Sequence, residues 1–260
     1  MFCKNVLRHF LTARIASKLG RKIRRDTKAG RGGDFMGEVI NVPSQGAICW
    51  LVDTSEYRYN TDFVVGENVT AMLKFMGESF LFKSGEGGTI KQIVAQTLEA
   101  NKKKVMFDKT KVDCVLYAKD DRAVVSIFWG LNIADIKGDE EKFFRLKTSG
   151  KYVLAVSNLE KFMSMLKTNA ATTMVERDVK ALMSANVLDM IRIGLERQIN
   201  ENSIQKLKDN KDAVIKKIVD EINLKIASLG MCMKELTAGL FDFVEQEKKV
   251  AEEFKFDDLV

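Results

Sequence analysis

The sequence predicts an α+β fold with a basic helical arm at its N-terminal end. Three observations carry this. Residues 36–152 read as short apolar runs cut by glycine and asparagine turns, which is antiparallel strand grammar. From residue 153 onward, apolar residues recur at helical spacing over two long stretches. Ten of the 42 Lys and Arg residues crowd into the first 35 positions.

The arm comes first. On a helical wheel Phe2, Cys3, Val6, Leu7, Phe10, Leu11 and Ala13 share one half, while Lys4, Asn5, Arg8, His9 and Thr12 share the other. Apolar and aromatic residues opposite cations are the pattern of a helix lying in a membrane interface. Past Arg14 the pattern inverts. Ile15, Leu19 and Ile23 take the side that held cations, and Arg14, Lys18 and Arg25 take the other, so a bend near Gly20 or two short helices is expected. The candidate membrane-binding residues are Phe2, Val6, Leu7, Phe10 and Leu11 with Lys4, Arg8, Arg14, Lys18, Arg21, Lys22, Arg24 and Arg25. Lys28–Asp34 is glycine-rich and reads as a linker. A targeting presequence and a start at Met36 are the competing readings of this segment. A nucleic-acid arm is disfavoured, because no aromatic platforms alternate with the cations.

Strands are expected over Gly46–Val52, Thr61–Val65, Val69–Phe75 and Ser79–Lys83, with turns at Gly66-Glu-Asn68 and Gly77. Ser84–Thr89 lacks the spacing of a phosphate loop and reads as a tight turn. Ile90–Asn101 reads as a short helix or an extended loop, and Lys102–Lys104 as a solvated charge run. Val112–Ala118 and Ala123–Trp129 read as strands joined by a hairpin turn at Lys119–Arg122. Glu140–Leu146 leads to Gly150, and Tyr152–Val156 reads as a further strand. Ser157–Glu160 and Thr173–Glu176 each fit a capping box opening a helix. The second should carry Val175, Val179, Leu182, Met183, Val187, Met190, Ile191, Leu195 and Ile199 on its apolar side. A further helix is expected from about Asn210 to Leu229, stopped by Gly230, followed by a strand over Met231–Phe243 and a charged end.

Composition narrows the chemistry. With a single histidine, His9, in the arm, a Ser–His–Asp or Cys–His site in the body has no base. Cys3, Cys49, Cys114 and Cys232 form no CxxC pair, so no zinc site is expected and reduced thiols suit the cytoplasm. The adjacent pairs Asp120/Asp121 and Glu140/Glu141 fit hairpin turns better than an acid–base dyad. No catalytic residue, metal ligand or cofactor is expected. The formal charge of +6 divides into +8 for residues 1–35 and −2 for the rest, where 32 basic face 34 acidic groups. An anionic partner for the arm follows.

The order of elements resembles the SPFH superfamily (stomatin, prohibitin, flotillin; band 7), above all its bacterial virion core protein-like members. Met36–Val42 resembles their opening strand. Tyr59–Asn68 with Ala71–Gly77 resembles their strand hairpin, and Val112–Tyr117 with Phe128-Trp-Gly130 their strand pair ending in Trp-Gly. Arg145–Tyr152, Ser157–Phe162 and Ile218–Met233 resemble the elements that close the domain. The chain departs from the pattern at Asn158-Leu159 and at Val244-Glu245, where prolines are usual. The resemblance spans 36–245, as a β-rich part, 36–152, and a helix-rich part, 153–245, between the arm (1–35) and a charged tail (246–260). It implies a non-enzymatic, self-associating peripheral scaffold in the cytoplasm. Its partners would be an anionic membrane surface, further copies of itself and membrane proteins. A soluble adaptor without lipid dependence is the alternative.

Overall fold

The computed structural model describes residues 37–44, 46–100, 111–138, 142–166 and 173–246. Within them the chain is an α+β protein with sheets that are mainly antiparallel. It divides into two compact units built from interleaved segments. One takes the chain up to Val124, Val156–Val179 and Leu229–Met231; the other takes Val125–Ala155, Lys180–Ser228 and the chain from Cys232. The pair of strands after Val125 thus groups with the helices of the C-terminal half.

The first unit is organised by β2 (Ala47–Val52), β4 (Val69–Phe75), β5 (Glu78–Phe82), β7 (Val115–Asp120) and β10 (Thr173–Val175), ordered β10-β2-β7-β4-β5. Strand alternation fixes its two faces. Trp50, Ala118, Ala71 and Phe82 lie in one row across four strands, on the core side. The same core takes in Phe63 and Val65 of β3 (Asp62–Val65), which pairs in parallel with β1 (Glu38–Ile40) and antiparallel with β6 (Gly87–Thr89). It also takes in Ile90, Ile93, Val94 and Leu98 of α1 (Ile90–Ala100), so the segment read as a helix or an extended loop is a helix as far as Ala100. Phe63 meets Phe82 edge to face at 5.2 Å. The opposite row is Leu51, Tyr117, Met72 and Leu81. Lys74 and Ser79 share that face, and both reach Glu160 of α2 (Leu159–Leu166), at 2.9 and 3.3 Å, so α2 lies over part of it, with Met72 and Tyr117 buried and Leu51 and Leu81 open. Two-sided cover explains why β4 is buried almost throughout.

In the second unit β9 (Phe143–Val156) lies between β8 (Val125–Lys137) and β11 (Met231–Gln246). β8 and β9 run antiparallel from Val125↔Leu154 to Ile133↔Leu146, then shift register before Ile136↔Phe144, where Asp135 adopts φ 58°. That is a β-bulge. On the other side Thr148 Oγ1 donates to the Leu240 carbonyl (3.0 Å) and Thr237 Oγ1 to that of Lys151 (3.1 Å). Partner numbers fall along β11 as they rise along β9, so this pair is antiparallel too. A Cβ on Gly150 would stand 1.8 Å from the Thr237 carbonyl oxygen, and only glycine allows that approach.

α3 (Glu176–Glu201) buries Val179, Met183, Val187, Ile191, Leu195 and Gln198, a stripe advancing mostly by four residues. After the short α4 (Ile204–Asp209), α5 (Lys211–Ile226) buries Val214, Ile215, Ile218, Ile222 and Ile226. Gly194 of α3 packs against Ile218 of α5, and Arg197 pairs with Glu221. Asn223 ties α5 to β11 through both backbone groups of Met233.

Several expectations need correction. Lys119–Arg122 is not a hairpin turn: β7 pairs with β2 and β4, β8 with β9, so the segment hands the chain from one sheet to another. The two strands expected around Gly150 are one, β9. Neither helix begins where its capping-box spacing places it. Asn158, not Ser157, caps α2, its Oδ1 accepting from the Lys161 N–H at 3.0 Å. Thr173–Val175 is the edge strand β10, and α3 begins only at Glu176, with Asp178 Oδ2 accepting from the Val175 N–H. α4 is an element without a sequence expectation. Gly230, φ +73°, ends the helical region as expected and accepts from the N–H groups of Ser157 and Asn158.

Candidate functional site

All thirteen candidate membrane-binding residues, Phe2 to Arg25, fall outside the described residues, as do Glu140/Glu141, Lys102–Lys104, His9 and Cys3. The remaining candidates for chemistry lie within them, and the fold uses each for another purpose.

Asp121 sits in the turn after β7 and accepts from Thr70 Oγ1 at 2.8 Å, while Lys119 Nζ lies 2.7 Å away. Its own N–H donates to the Asn68 carbonyl. Asp120 accepts from the Arg122 N–H at 2.8 Å. The pair therefore ties the turn after β7 to the start of β4. Asp53 forms an Asx turn with the Ser55 N–H, and that backbone bond first, then the Ser55 side chain, lowers its pKa.

The thiols are quiet. Burial pushes Cys49 up to about 12 and Cys114 up to about 11, so neither is a thiolate near neutral pH. Cys232 is half-buried on β11. Burial likewise raises Tyr152 to about 12, and its hydroxyl has no hydrogen-bond partner among the described residues; the same is true of the Trp129 indole N–H. Among the described residues no group of three or more His, Cys, Asp or Glu could hold a metal ion.

Two shallow clefts open on the first unit. One, of about 490 Å³, lies among the turns carrying Glu67, Asn68, Lys83, Ser84 and Asp121; the other, of about 410 Å³, is lined by Asn60, Thr89, Lys91, Gln92 and Ala95. The first has a mainly polar lining and the second a mainly apolar one, and neither lining includes a histidine or a cysteine. Ser84–Thr89 contributes a turn at Gly85 and then β6, as its reading as a turn anticipates in part.

What the surface offers instead is apolar. Phe128 is 83% exposed on β8 and Leu224 81% exposed on α5, with Ile193 and Leu81 also largely open. None of these is singled out by the sequence. Phe128 sits inside an apolar run where burial is the default expectation, and only its alternation with Ile127 and Trp129 hints at the other face.

The chain matches no protein-family model, and comparison with curated proteins gives no match either. Among the described residues no helix is long and apolar enough to cross a membrane.

Proposed function

We propose that the protein is a non-enzymatic, self-associating peripheral membrane scaffold of SPFH type, docked through its first 35 residues. One observation carries the reading: a net +8 on residues 1–35 stands against −2 on everything after them, and on a helical wheel Phe2, Leu7, Phe10 and Leu11 fall opposite Lys4 and Arg8. Each cation near an anionic leaflet contributes about 1 kcal/mol, and apolar insertion adds to it. The structural employment of Asp120, Asp121, Cys49 and Cys114 fits a body that builds rather than catalyses.

Flotation with vesicles of phosphatidylcholine, with and without phosphatidylserine, tests it. The full chain should float with the anionic vesicles and lose them as salt rises, whereas a chain beginning at Met36 should stay at the bottom. Equal flotation of the two chains would reject the docking role.

The soluble adaptor is the second reading, and the open Leu224 and Ile193 on the helices of the second unit favour it. It requires a stoichiometric protein partner that co-purifies without lipid.

A further inference from the structure

Among the described residues the sheet of the second unit ends on β8, which bonds to β9 along one side only. An edge strand offers its outer N–H and C=O groups to any other strand, and proteins blunt such edges with charges or proline. β11, at the opposite edge, carries Lys234, Glu235, Asp242 and Glu245. β8 carries no charge and no proline from Val125 to Ala134. Its first charge is Asp135, at the bulge that ends the regular register.

Two residues in this unguarded stretch are unexplained by the chain's own fold. Phe128 is almost fully exposed. Gly130, two positions on and on the same face, costs strand stability without local cause: its φ is not positive, and a Cβ there would meet Ser149 Cβ at an ordinary 3.7 Å. A glycine of this kind in a strand marks the close approach of something else.

An antiparallel copy of the same strand, related by a two-fold axis through Trp129, accounts for both. Phe128 then lies opposite Gly130 of the second copy, twice over, so each ring covers the position that lacks a side chain. On the other face Ile127 lies opposite Leu131 and Val125 opposite Ile133, an unbroken apolar row in which Leu131 and Ile133, half-buried in one copy, become covered. No charge is brought into the pair, and Asp135 falls just past its end. We propose that β8 is the self-association edge, with two copies pairing antiparallel over Val125–Ile133 into one continuous six-stranded sheet. This gives a surface to the self-association proposed above and rests on that part of the reading alone.

Sedimentation of the full chain across a concentration series tests it, with Phe128→Lys, Gly130→Thr and Leu224→Lys as variants and circular dichroism to confirm that each is folded. Phe128→Lys should weaken association at least about tenfold, as removal of a central aromatic contact does. Gly130→Thr should weaken it as well, although threonine suits a strand and leaves the unassociated chain intact. Leu224→Lys, elsewhere on the same unit, should leave it unchanged. If the parent chain associates and neither β8 variant alters it, the edge assignment is wrong while the scaffold reading stands. The same holds if Leu224→Lys weakens it as much as the β8 variants do. A parent chain that stays monomeric at its highest soluble concentration, with and without anionic vesicles, overturns both.

Discussion

Cys49 has no exposed surface, and burial pushes its thiol up to about 12 against a reference of 9.0. Above pH 9 an unfolded chain sheds a proton that the folded chain retains, so stability is full below that pH and declines as pH rises toward 12. The decline is at most about 1.4 kcal/mol per pH unit for each such thiol. Cys114, raised to about 11, adds to the same window. Urea denaturation between pH 8 and 10.5 should show this fall, and Cys49→Ala should be less stable at pH 8 yet show a flatter profile. Tyr152 poses the opposite case. Its hydroxyl is buried without a partner among the described residues, a situation that costs about 1–3 kcal/mol. Tyr152→Phe should therefore leave the midpoint unchanged or raise it; a clear loss would mean that the hydroxyl is bonded after all. The same scale shows where sequence reasoning stops. Ser157–Glu160 satisfies the capping-box spacing, but Glu160 is taken by Lys74 and Ser79, some eighty positions away, and Asn158 takes over the cap. A four-residue motif carries no information about a strand that will lie over it.

Elements were legible where local chemistry decides them. β4 runs from Val69 to Phe75 between two turns whose Asn68 and Gly77 adopt positive φ, and its ends follow from those residues alone. α5 shows its buried stripe directly in its isoleucines. Pairing was not legible, because β7 and β8 are adjacent in sequence yet belong to different sheets. β9 reads as two strands because Gly150 looks like a break. Its real reason is lateral, the passage of β11 within 1.8 Å of where a Cβ would stand. Gly150→Ala should thus cost about 3 kcal/mol or more in urea denaturation, since backbone has to move. Gly194→Ala is the control. The atoms it meets belong to the Ile218 side chain, at 3.1 Å and beyond. The gain in helix propensity, about 1 kcal/mol, offsets most of that crowding, so the net change should stay within about 1 kcal/mol.

For the whole molecule the decisive quantity is where charge sits. Reversing Arg24 and Arg25 to glutamate replaces two attractive charges with two repulsive ones. At about 1 kcal/mol per charge near an anionic surface, binding to phosphatidylserine vesicles should fall more than about a hundredfold at low salt. The difference should shrink as added salt shortens the screening length. Binding that ignores both the reversal and the salt would remove the electrostatic half of the proposal. The charge division could be read from the sequence because it is a count. The division of the body into units could not, because it depends on which distant segments meet.

The strand order β11-β9-β8 also has a consequence for synthesis. β8 and β9 leave the ribosome together, but the strand that completes β9 follows only after α2, α3, α4 and α5 have been made. At about 5–20 residues per second that interval lasts several seconds. Throughout it a fourteen-residue strand holding Leu146, Tyr152 and Leu154 keeps one hydrogen-bonding edge open on the nascent chain. A polypeptide stalled just before Met231 is therefore the form in which a holding chaperone would find its best grip.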